Sequence, residues 1–122
     1  MALQTPGAAQ IPPGRAVEDA PLAGAEGDTW LLQEIQGGFT LVGFGDVQLP
    51  EIVGLQRVGI NHRAEYPCFT ATNNHAIRRY GAGKAYLFRP DGHVCAVFDA
   101  PTVDAVSQAR ARAMGAELED LA

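Results

Sequence analysis

Lys84-Ala85-Tyr86-Leu87-Phe88-Arg89-Pro90-Asp91-Gly92-His93-Val94-Cys95-Ala96-Val97-Phe98 is the stretch that decides the fold. Both flanks are rich in residues that suit a pleated surface, and the middle holds a proline followed by Asp-Gly. Residues 84–88 are expected as one strand and 93–98 as its antiparallel return. Arg89, Pro90, Asp91 and Gly92 form the turn motif between them. The Asp91 carboxylate can accept from turn N–H groups, so Arg89 and Asp91 are read as fixing the corner rather than binding substrate.

Beyond the hairpin, Thr102 is placed to cap a terminal helix, with Asp104 in its first turn. Val103, Val106, Ala109, Ala113 and Met114 give that helix an apolar stripe, and Gly115 is placed to end it. Before the hairpin, residues 62–83 read as loop with a helical turn over Ala76 to Tyr80. Leu55 to Asn61 alternates like a half-exposed strand. Pro50 limits any helix between Asp46 and Gly54. Phe39 to Phe44 is expected as a central strand, joined through the Gly37-Gly38 turn to a strand at Thr29 to Leu32. Residues 1–27, dense in Ala, Gly and Pro, are expected as an extended or disordered tail, and 28–122 as the folded domain. This order fits an α/β architecture with one mixed sheet and few helices.

Composition narrows the partners. The chain has 122 residues, enough for one domain. Its apolar content is 47% and its charged content 19%, a globular balance. A formal charge of -5 argues against nucleic acid or an anionic membrane as partner. No apolar run approaches the ~20 residues of a membrane span. Residues 1–20 lack the basic-then-apolar pattern of a secretion signal, so a cytoplasmic protein with reduced thiols is expected.

The side chains that could carry chemistry are few. Cys68 and Cys95 do not form the Cys-x-x-Cys of a dithiol catalyst. His62, His75 and His93 are the imidazoles. His93 and Cys95 alternate so as to share a strand face, but no spaced ligand motif supports a metal. Gly43-Phe44-Gly45 and Gly81-Ala82-Gly83-Lys84 resemble nucleotide loops only in part and read as turns. Ser107 lies within the terminal helix, not on a nucleophile elbow. Arg79 with Tyr80, and Tyr86, are read as possible interface residues, and Trp30, Phe39 and Tyr66 as further anchors.

Residues 12–22 (PPGRAVEDAPL) and 79–94 (Arg79-Tyr80-Gly81 through Arg89-Pro90-Asp91-Gly92-His93-Val94) resemble segments of the C-terminal domain of FAD-dependent aromatic hydroxylases, the phenol hydroxylase and hydroxyphenylpropionate hydroxylase group. Gly38 to Phe44 resembles that domain's central strand, and Val103 to Gly115 its closing helix. The resemblance implies a thioredoxin-like fold without the dithiol. It implies a non-catalytic assembly domain that packs on a flavin domain and contributes to a homodimer. FAD and NADPH would belong to the full-length enzyme, with no catalytic, cofactor or metal residue in this chain. The alternative is a small independent thiol or metal-binding thioredoxin-like protein that uses Cys68, Cys95 and His93.

Overall fold

The computed structural model describes residues 13–72 and 75–121; residues 1–12 of the expected tail lie outside the described residues. Along the chain run β1 (Pro21–Gly24), β2 (Gly27–Trp30), α1 (Leu31–Glu34), β3 (Thr40–Phe44), β4 (Gln56–Ile60), β5 (Cys68–Ala71), α2 (His75–Tyr80), β6 (Lys84–Phe88), β7 (Val94–Phe98) and α3 (Val103–Leu121). The strands form one seven-stranded sheet in the order β2-β1-β5-β4-β3-β6-β7. β3 runs parallel to β4 and antiparallel to β6, so the sheet is mixed.

Side chains alternate across the sheet and bury two cores. On one face Val42, Phe44, Val58, Ile60, Tyr86 and Phe88 meet Leu22, Leu31, Ile35 and Tyr80. On the other, Leu41, Ala85 and Leu87 meet Val47 and Leu49 of the crossover and Val106 and Ala109 of α3. β3 is buried along its whole length, as a central strand with both faces covered must be.

The hairpin forms as the turn residues dictate. Gly92 N–H donates to Arg89 O (2.9 Å), and Arg89 N–H to His93 O (2.8 Å). The Asp91 carboxylate accepts from the Arg89 guanidinium and from His93 N–H (3.2 Å). Arg89 holds the Asp91 carboxyl down at about 2, below its ordinary 3.8. The resulting stability is present above the ordinary carboxylate range and lost as pH falls through about 2. Asp91 is half exposed, which screens the effect. Asp91→Asn is expected to cost under about 1 kcal/mol at pH 7. Urea melts should show the two proteins converging near pH 2; equal stability at pH 7 would mean the pair does not hold the corner.

Several elements depart from expectation. Leu31 to Glu34 is a helical turn rather than strand, and β2 pairs with β1, not with β3. The stretch before residue 28 supplies β1 and the start of β2. Ahead of β1, Gly14, Arg15 and Val17 exchange backbone bonds with Gly92 and Val94, which satisfies part of the β7 edge. The terminal helix is capped as expected, with Ala105 N–H donating to Thr102 Oγ1 (3.1 Å), but it continues through Gly115 to Leu121. Gly115 does not take the left-handed conformation that would end a helix.

Candidate functional site

The crossover from β3 to β4 contains no helix: residues 45–55 fold straight back onto the sheet. Two glycines make this possible. Ala85, Gly43, Gly59 and Cys68 lie in register across β6, β3, β4 and β5, a row of small residues that leaves a flat floor. A Cβ on Gly43 would stand 2.8 Å from Val47 Cγ1 and 3.0 Å from Leu49 Cδ2. A Cβ on Gly59 would stand 2.7 Å from His62 Cε1, 2.9 Å from His62 Nε2 and 2.9 Å from Cys68 Sγ. Only glycine permits these approaches without displacing a neighbour.

A thiol, an imidazole and a phenol converge on this floor. The short loop after β4 carries His62 and Tyr66, and β5 opens on Cys68. His62 Nε2 and Tyr66 Oη are 2.8 Å apart, and the two rings meet edge to face at 5.7 Å. Cys68 S–H donates to the Tyr66 carbonyl (3.3 Å). The Arg57 guanidinium lies 4.7 Å over the Tyr66 ring and donates to Leu49 O (3.2 Å), with Glu65 3.7 Å away. Burial raises the Tyr66 pKa above its ordinary value. Cys68 is half-buried and stands in the wall of a cleft of about 490 Å³ between the β1–β2 hairpin, Glu34 and the start of β5.

Of the residues singled out from sequence, Cys68, His62 and Tyr66 meet here, and Cys95 and His93 lie elsewhere. Cys95 is separated from Cys68 by the full span from β7 to β5. Four interstrand steps place them roughly 19 Å apart, far beyond the ~7 Å limit for a disulfide. Cys95 is also the extra residue of a bulge, since Leu87 pairs with Ala96 and Phe88 with Val94. It therefore packs in the α3-side core beside Ala96, while His93 lies ahead of β7 with Nδ1 3.3 Å from Asp91. His93 lies outside β7 and is joined to Ala16 by an isolated bridge. Cys68, Cys95 and His93 thus do not form one site. Among the described residues no group of three or more His, Cys, Asp and Glu is arranged to hold a metal; the His75 side chain lies outside the described residues.

Tyr80 and Tyr86 are fully buried. Tyr80 stacks on Phe44 (4.4 Å) and Tyr86 donates its O–H to Tyr80 O (2.6 Å). Burial pushes the Tyr80 phenol well above its ordinary value. Arg79 pairs with Glu18, whose carboxylate raises the guanidinium pKa. The His62–Tyr66 pair was not singled out from the sequence. Its signal was Gly43 and Gly59 at matching positions of two strands, which announces something seated on both.

No protein-family model and no curated protein matches the sequence. Solved structures do match. A protein assigned as the thiol:disulfide interchange protein DsbE from Chlorobium tepidum superposes with a TM-score of 0.64 at 16% identity, over 85% of this chain and 99% of that one. Peroxidoxin BcpB from Mycobacterium tuberculosis gives 0.60 at 18%, over 81% and 96%. A peroxiredoxin-like protein from Aquifex aeolicus gives 0.57 at 8%, over 83% and 87%. The fold is thioredoxin-like. These neighbours are thioredoxin-like proteins in their own right, matched over most of their length, and not domains of flavin hydroxylases. They overturn the resemblance to the C-terminal domain of an FAD-dependent aromatic hydroxylase. With it go the assembly role, the flavin-domain partner and the homodimer that the resemblance implied. The motifs behind the resemblance, a Pro-Asp-Gly turn, a glycine-flanked strand and an alanine-rich helix, are local solutions that recur wherever such elements join. No helix among the described residues is long and apolar enough to cross a membrane.

Proposed function

We propose that the protein performs single-thiol exchange at Cys68 on a thioredoxin-like scaffold. The observation that carries this is the placement of Cys68: half-buried, in the wall of a cleft of about 490 Å³, beside an imidazole and a phenol. The segment after the central strand, residues 45–55, has neither helix nor cysteine, so the dithiol arrangement of thioredoxin is absent. A lone thiol can still carry half of the exchange. The Cys68 thiolate attacks a disulfide R–S–S–R, forming Cys68–S–S–R and releasing RS⁻, which takes a proton from water. A second external thiol then attacks the mixed disulfide and frees Cys68. Cys95 is too distant to do so. The chemistry needs no bound cofactor. Cytoplasmic placement belongs to the same proposal, because two cysteines outside any disulfide suit a reducing compartment.

The test is the rate of exchange with a chromogenic aromatic disulfide. Cys95→Ser is expected to retain the fast phase and Cys68→Ser to lose it. A fast phase that survives Cys68→Ser would overturn the proposal.

A further inference from the structure

We infer that Tyr66 is a positioning residue that holds the Cys68 thiol and the His62 imidazole apart, keeping the thiol in an unactivated state. This rests on the exchange reading above and concerns its regulation. Both groups stand 2.9 Å from the position of a Cβ on Gly59, so Sγ and Nε2 are under about 6 Å apart. They do not bond to each other. Tyr66 takes both bonds, the thiol S–H through its carbonyl and the imidazole through its hydroxyl.

Proton accounting fixes the direction of the second bond. The Tyr66 hydroxyl proton needs an acceptor, and among the described residues His62 Nε2 is the one in reach, at 2.8 Å. Nε2 must therefore be unprotonated and Nδ1 carry the hydrogen. This leaves one buried group, His62 Nδ1, without a partner. The opposite tautomer would leave the hydroxyl proton unplaced as well, at an added desolvation cost. With Nε2 committed to Tyr66, the imidazole cannot take the thiol proton, and the Cys–His activation seen in thiol nucleophiles is switched off. Arg57 over the ring, with its partner Glu65, fixes Tyr66 from one side. The charged groups on the cleft side are Glu26, Asp28 and Glu34.

Removing the hydroxyl frees Nε2 while keeping the ring, its edge contact and the Arg57 stack. In a Cys95→Ser background, Tyr66→Phe is expected to raise alkylation of Cys68 by iodoacetamide about tenfold at pH 7. The rate profile between pH 5 and 9 should gain an inflection that the unmutated protein lacks. Adding His62→Gln should abolish both changes. An unchanged or slower rate with no new inflection in the folded variant would overturn the inference. Should Tyr66→Phe fail to fold, ¹⁵N shifts of His62 in the unmutated protein decide: an Nδ1–H tautomer supports the inference and an Nε2–H tautomer overturns it. The exchange reading fails separately, if Cys68 forms no mixed disulfide with any disulfide in either protein.

Discussion

Tyr80→Ala is expected to destabilise the domain by about 3–5 kcal/mol, enough to leave much of it unfolded at 37 °C. The ring is fully buried at the junction of α2 and the sheet. It stacks on Phe44 at 4.4 Å, meets Tyr86 edge to face at 5.0 Å and reaches Phe88 at 6.3 Å. Its hydroxyl ties down the segment ahead of β1, accepting from Glu18 N–H (2.9 Å) and donating to Glu18 O (2.5 Å). Alanine would open a cavity among these rings and remove both bonds to the Glu18 backbone. Tyr80→Phe isolates the second part and should cost about 1–3 kcal/mol. Urea unfolding of the three proteins separates the contributions. A loss below about 1.5 kcal/mol in Tyr80→Ala would mean that the aromatic cluster does not organise this face.

Gly59→Ala is expected to damage stability and site together. Its methyl would press on His62 Cε1 at 2.7 Å and on Cys68 Sγ at 2.9 Å, so one or both must move. Overpacking of this kind costs about 1–3 kcal/mol. The rate of Cys68 alkylation should shift along with it, because the floor that seats both groups is lost. Gly115→Ala supplies the contrast. It lies within α3 with nothing within 4 Å of the new methyl, and should be neutral or stabilise by up to about 1 kcal/mol. If both substitutions gave the same small effect, Gly59 would be a filler position and not a seat for the imidazole.

Much of the fold was legible because its signals are local. The Pro90-Asp91-Gly92 corner, the Thr102 cap and the apolar run of Leu41 to Phe44 each identify their element within a few residues. The expected mixed sheet follows from them. What escaped depends on partners distant in sequence. β1 is four residues between glycines and alanines, and it exists because β2 and β5 pair with it on either side. β5 follows a proline and looks like loop until β4 is beside it. Gly115 looks like a stop, yet the helix runs on, since nothing in its surroundings demands a positive φ.

The candidate site was less legible for the same reason. His62, Tyr66 and Cys68 lie close in sequence, but their meaning comes from Gly43 and Gly59, which only the parallel register of β3 and β4 brings side by side. The alternation of His93 and Cys95 was the more visible pattern, but β7 stands four interstrand steps from β5, so Cys68 joins neither. Aromatic residues near charges read equally well as interface or core. Tyr80 and Tyr86 went to the core because their hydroxyls find backbone partners inside the domain.

Intact-mass spectrometry with peptide mapping, after exposure to a small disulfide such as 2-hydroxyethyl disulfide at pH 8, bears most directly on whether one thiol does the work. A single adduct on Cys68 is expected, fully reversed by added thiol, with Cys95 unmodified on the same timescale. An internal Cys68–Cys95 bond, or an adduct that forms first on Cys95, would contradict this expectation.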